Sequence, residues 1–147
     1  MKASEGKLGR IFILRLEHND AIPDCIESFA RENHIVIAQV TIIGSIGNGE
    51  IVSGPRYSEQ MPPEPMLIPV DGAHEVVGIG VIAPDKQGKP VLHLHAAAGR
   101  AGKTITGCLR AGVSTWVVGE VIICEIAGAE AKRVLDVKTG FELLEVI

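Results

Sequence analysis

The apolar positions of the chain begin in strand alternation, switch once to helical spacing, and return to strand character for the remainder. From Gly9 to Asp20, Phe12, Leu14 and Leu16 fall on one side while Arg15 and Glu17 begin a polar side, which predicts a strand. The next segment has Ile22, Cys25, Ile26, Phe29 and Ala30 on one stripe. With Asp20 as N-cap, Pro23 in the first turn and Asn33 as the stop, it predicts a helix of about three turns. Ile35–Ile46 is almost continuously apolar and β-branched, as expected of a strand covered on both faces. GEIVSGPRY then reads as its partner across a tight turn, and Ser58–Met66, with three prolines in nine residues, reads as a loop. Strands are expected at His74–Ala83, Pro90–Ala98 and Ser114–Gly128, with GRAGKTITG as a glycine-punctuated loop before the last of these. KRVLDVKTGFELLEVI closes as a hairpin around Thr139-Gly140. One early helix followed by many strands, without repeated βαβ spacing, predicts a single α+β domain over residues 1–147, built on a mixed, largely antiparallel sheet.

Composition narrows the function. The chain has 147 residues, 46% hydrophobic and 22% charged, so disorder is excluded and a sizeable core is expected. Its net charge of −4 and 3% aromatic content argue against a phosphate-coating surface or a base-stacking platform. Cys25, Cys108 and Cys124 form no CxxC pair and point to a reducing compartment. No run approaches the ~20 apolar residues of a membrane span, and the first ten residues lack the apolar stretch of a secretory signal. The expectation is a soluble, cytoplasmic protein. Apolar strand surface in excess of one core also points to burial between subunits of a homo-oligomer.

The sharpest chemical feature is His93-Leu94-His95. Residues two apart on a strand share a face, so both imidazoles project together while Leu92, Leu94 and Ala96 fill the other side. Cys108 can return beside them after the glycine-rich segment, giving two nitrogens and a thiolate with a fourth position for water, the pattern of an open zinc site. The alternative is a pair of hydrogen-bonded imidazoles beside an inert buried thiol. Glu75, Glu120 and Glu125 lie within or beside apolar strands. Glu75 and Glu120 are the candidates for proton transfer, set against the simpler reading of ion pairs or solvent-facing positions. His74 is expected at the surface, and His18 and His34 at element ends. Gly99, Gly102 and Gly107 do not have phosphate-loop spacing, which excludes a nucleotide site of that type.

Taken in order, Gly9–Leu16, Ile43–Gly47, Pro69–Val81, Gly88–Gly99, Gly102–Gly112 and Gly140–Leu144 resemble the PPC domain, the plant and prokaryote conserved domain carried by plant AT-hook proteins. The resemblance spans about residues 9–144. It implies a bent, mixed antiparallel sheet, a homotrimer and, in some prokaryotic members, metal binding through the HxH strand and a following Gly-Gly-His. Here Thr106-Gly107-Cys108 stands at that last motif, so a cysteine replaces the third histidine. The fold is also similar to acetolactate decarboxylase, where zinc is held by HxH and a later His. The family's DNA-binding association comes largely from AT-hooks, Arg-Gly-Arg-Pro segments of which this chain has none, so direct DNA binding is not expected. The expected function is a trimeric zinc-site protein. Its alternatives are a regulatory or DNA-associated interaction module, a zinc-dependent lyase or hydrolase for a small carbonyl compound, or a binder of a small molecule between subunits.

Overall fold

The computed structural model describes residues 1–110 and 112–147. Its first strand, β1 (Lys7–Glu17), leads into the single helix α1 (Ile22–Glu32). The strands β2 (Ala38–Asn48), β3 (Glu50–Pro55), β4 (Pro65–Pro69), β5 (His74–Pro84) and β6 (Pro90–Arg100) follow. Next come β7 (Lys103–Leu109) and β8 (Ser114–Ala127), and the hairpin β9 (Ala131–Leu135)–β10 (Glu142–Val146) ends the chain. The first eight strands form one sheet in the order β1-β8-β2-β5-β6-β7-β3-β4, and β9 and β10 form a second. Among the described residues every strand pairing is antiparallel, so the expected mixed character is absent. The result is a mostly antiparallel sheet with one short helix. No helix among the described residues is long and apolar enough to cross a membrane.

Alternation gives the main sheet two unlike faces. The inner face carries Val40 and Ile42 of β2, Leu94 and Ala96 of β6, and Val121 and Ile123 of β8, all buried. Against them α1 packs Ile22, Ile26 and Ala30, the helical stripe read from the sequence. Phe29 of α1 meets Phe12 of β1 edge to face at 5.2 Å. The N-cap is Ala21 rather than Asp20, because the Asp20 carboxylate is already taken: it accepts the Glu17 backbone N–H at 2.8 Å. Asn33 does end the helix, its amide donating to the Phe29 carbonyl at 2.9 Å.

Three further expectations need correction. β3 is not the hairpin partner of β2, because both edges of β2 are occupied by β5 and β8; β3 pairs instead with β4 and β7 at the far side of the sheet. The glycine-punctuated segment is not a loop, either. Ala101 and Gly102 both take left-handed φ values, 49° and 77°, and turn the chain tightly from β6 into β7. The proline-rich loop also ends earlier than expected, since β4 begins at Pro65. The terminal hairpin lies where the sequence placed it, with Thr139 bound through its N–H and hydroxyl to the Asp136 carboxylate in the turn.

Candidate metal centre

Three strand relationships assemble the site. His93 and His95 alternate with buried Leu92, Leu94 and Ala96 on β6, so both rings leave the sheet on its outer face. β7 then runs back beside β6 in a register that sets Cys108 directly opposite His95. At Gly107 the strand passes so close to β3 that a Cβ there would lie 2.1 Å from the Val52 carbonyl oxygen. Only glycine lets β7 carry Cys108 into place while pairing on both sides.

The Nε2 atoms of His93 and His95 are 3.1 Å apart, and the two rings meet at 88°. With the Cys108 sulfur, the three ligand atoms lie within 4.8 Å of one another. A tetrahedral ion with ligands at 2.0–2.1 Å (N) and 2.3 Å (S) needs separations of about 3.3 Å between nitrogens and about 3.6 Å between nitrogen and sulfur. The donor set therefore fits a zinc-sized ion with small side-chain rotations. Burial disfavours imidazolium at His93, and the nearby charges of Arg133, His95 and Arg110 add to that effect, lowering its pKa. A neutral ring keeps a nitrogen lone pair for a cation.

The His pair and Cys108 open into a cavity of about 1050 Å³. Its floor is the outer face of β6 and β7, and its walls come from the proline-rich loop and the terminal hairpin, including Met61, Phe141 and Leu144. β9 reaches this end of the sheet through Arg133, whose Nη2 donates to the Val81 carbonyl at 3.2 Å, and Val81 is the register partner of His93. Arg110 and Glu142 also line the cavity.

The expected carboxylates stand elsewhere. Glu75 shares the outer face but pairs with Gly99, four residues along β6 from His95, or about 13 Å at ~3.3 Å per residue. It accepts a hydrogen bond from Ser45 at 3.3 Å. Glu120 pairs with Arg15 and Ile43 on strands β1 and β2, and lies three strands from β6. Within one chain neither reaches the cluster. Glu125 is an ion-pair residue: Arg10 holds it through Nε at 2.8 Å and Nη2 at 2.9 Å. His74 is buried, contrary to expectation, with Nδ1 2.9 Å from the Gly72 carbonyl oxygen. His18 Nδ1 accepts the Val117 N–H at 3.1 Å. The residues missed from sequence are Arg110, which follows Cys108 by two residues just after β7, and Arg133 and Glu142, which carry no motif and reach the cavity through the terminal hairpin.

The fold and its site place the chain among small antiparallel-sheet proteins with a histidine pair on a central strand. It belongs to the Plants and Prokaryotes Conserved (PCC) domain family, whose model matches residues 3–127. No curated protein matches the sequence. Among solved structures it is similar to a PPC protein of Pyrococcus horikoshii, with 27% identity and a TM-score of 0.84 over 100% of this chain and 99% of that one. A metal-containing protein of Archaeoglobus fulgidus matches at 24% identity and a TM-score of 0.84, over 99% of both chains. A Bacteroides thetaiotaomicron protein, described provisionally as DNA-binding, matches at 19% identity and a TM-score of 0.78 over 98% of this chain and 96% of that one.

Proposed function

We propose that the chain is a zinc-binding, homotrimeric member of this family, with His93, His95 and Cys108 as protein ligands. The observation that carries the reading is the convergence of three donor atoms within 4.8 Å on the floor of a large cavity. A mixed nitrogen and thiolate set suits zinc better than the oxygen-seeking magnesium or calcium. The Archaeoglobus relative is metal-containing, which supports a metal at this site though not its identity. Three protein ligands leave a fourth position for water or for a molecule held in the cavity, and a zinc ion there supplies Lewis-acid polarisation of a carbonyl or activation of water. The chain's own part is to bind and orient a small molecule between the loop and the hairpin. Glu142 is the carboxylate placed at that cavity for moving a proton. Lyase or hydrolase chemistry on a small carbonyl compound is the role this arrangement favours.

Metal analysis after zinc loading tests the reading. One zinc per chain is expected in the wild type, and none in His93→Ala/His95→Ala with the fold retained by circular dichroism. A wild type that takes up no zinc contradicts it. The provisional DNA-binding description of the Bacteroides relative favours a second reading, a DNA-associated module. The net charge of −4 and the lack of an Arg-Gly-Arg-Pro segment weigh against it.

A further inference from the structure

The cavity contains one polar group whose position nothing in the metal site explains. Arg133 is only 5% exposed and lines the cavity beside the histidine pair. One of its donors is spent on the Val81 carbonyl, and among the described residues its buried Nε–H has no acceptor. A guanidinium offers five donors in a rigid fork, and an unmet donor at such depth is costly unless a ligand supplies the acceptor. No side-chain carboxylate takes that place: the four ion pairs among the described residues all leave Arg133 out. Arg133 also lies beyond residues 3–127, in the terminal hairpin.

We propose that Arg133 is the recognition group for a small organic carboxylate, which sits in the cavity with its carboxylate on the guanidinium and its body toward His93, His95 and Cys108. This deepens the preceding reading by naming the ligand class. The chemistry selects that class in two ways. Arg133 and Arg110 against Glu142 leave one net positive charge at the metal-free cavity, and zinc with the Cys108 thiolate would raise it to two, which suits a mono- or dicarboxylate and disfavours polyphosphates. Met61, Phe141 and Leu144 give the cavity apolar walls suited to a carbon skeleton rather than to an inorganic anion. The planar fork and a carboxylate pair through two parallel N–H···O bonds, which fixes orientation as well as affinity. Burial lowers the Arg133 pKa, and Glu142 and Cys108 oppose it only in part; a guanidinium keeps its proton in proteins, so its charge calls for a further anion.

The test compares sodium pyruvate with pyruvamide, a neutral analogue of the same shape, by ligand-detected NMR on metal-free and zinc-loaded protein. Wild-type protein is expected to bind pyruvate at least tenfold more tightly than pyruvamide in both forms. Arg133→Gln abolishes that preference with zinc stoichiometry unchanged, and Arg133→Lys restores part of it. Equal affinity of the wild type for the two compounds overturns the proposal, as does Arg133→Gln binding pyruvate like the wild type. The wild-type comparison needs no variant and stands even if Arg133→Gln does not fold. If the protein takes up no zinc, the metal reading fails, while the pyruvate preference of metal-free wild type against Arg133→Gln still decides the role of Arg133.

Discussion

The Arg10–Glu125 pair shows how one residue contact joins three elements. Arg10 grips both carboxylate oxygens of Glu125 across the β1–β8 pairing, and its Nη2 also donates to the Asn33 carbonyl at the end of α1. These hydrogen bonds, chiefly those from the Arg10 side chain, hold the Glu125 pKa down at about 2. An unfolded glutamate titrates near ~4.3, so the contribution to stability is complete above that value and is lost as pH falls toward 2. Glu125→Gln should therefore flatten the acid limb of the stability curve between about pH 5 and pH 2, measured by urea unfolding at each pH. Residue-scale chemistry was legible where it depended on local parity: His93 and His95 had to share a face because they are two apart on a strand. Arg133 was not legible, since its importance comes from a carbonyl on β5 and rings on β6 that are distant in sequence.

Elements were legible where one period persisted. The helical stripe Ile22–Ala30 and the long apolar strand at Ser114–Ala127 fall where their patterns put them. β7 was hidden because its glycines resemble loop punctuation. In the fold, Gly102 serves the turn and Gly107 serves the close passage of Val52. Two substitutions test these roles. Gly107→Ala forces a Cβ into the Val52 carbonyl and should cost about 1–3 kcal/mol while weakening metal uptake, because Cys108 moves with the strand. Ile26→Ala empties a fully buried helix position and should cost about 2–5 kcal/mol in chemical denaturation, with metal stoichiometry unchanged. The contrast separates a residue that positions the site from one that only fills the core. The pairing of β3 was not legible because it depends on which edges of β2 are already occupied.

At the scale of the whole molecule, the outer face of the main sheet is unusually apolar. Ile13, Ile43, Val77, Ile79 and Ile122 are between 44% and 82% exposed. The registers set Ile13 beside Ile122 across β1 and β8, and Ile43 beside Val77 across β2 and β5. Exposed apolar pairs of this kind on a small acidic chain are what a subunit interface covers, in keeping with the proposed homo-oligomer. Ile43→Glu/Ile79→Glu should reduce the assembly to monomers in sedimentation, and a wild type already monomeric at high concentration would argue against the trimer. Strand order, which creates these pairs and brings β7 beside the histidines, is a long-range property that no local pattern encodes. Whether His93, His95 and Cys108 close on one ion can be read from X-ray absorption at the zinc edge of the loaded protein. The expected shell has two nitrogens at about 2.0–2.1 Å and one sulfur at about 2.3 Å, with the sulfur lost in Cys108→Ser. A shell of oxygen and nitrogen alone, unchanged by that substitution, would contradict this ligand set.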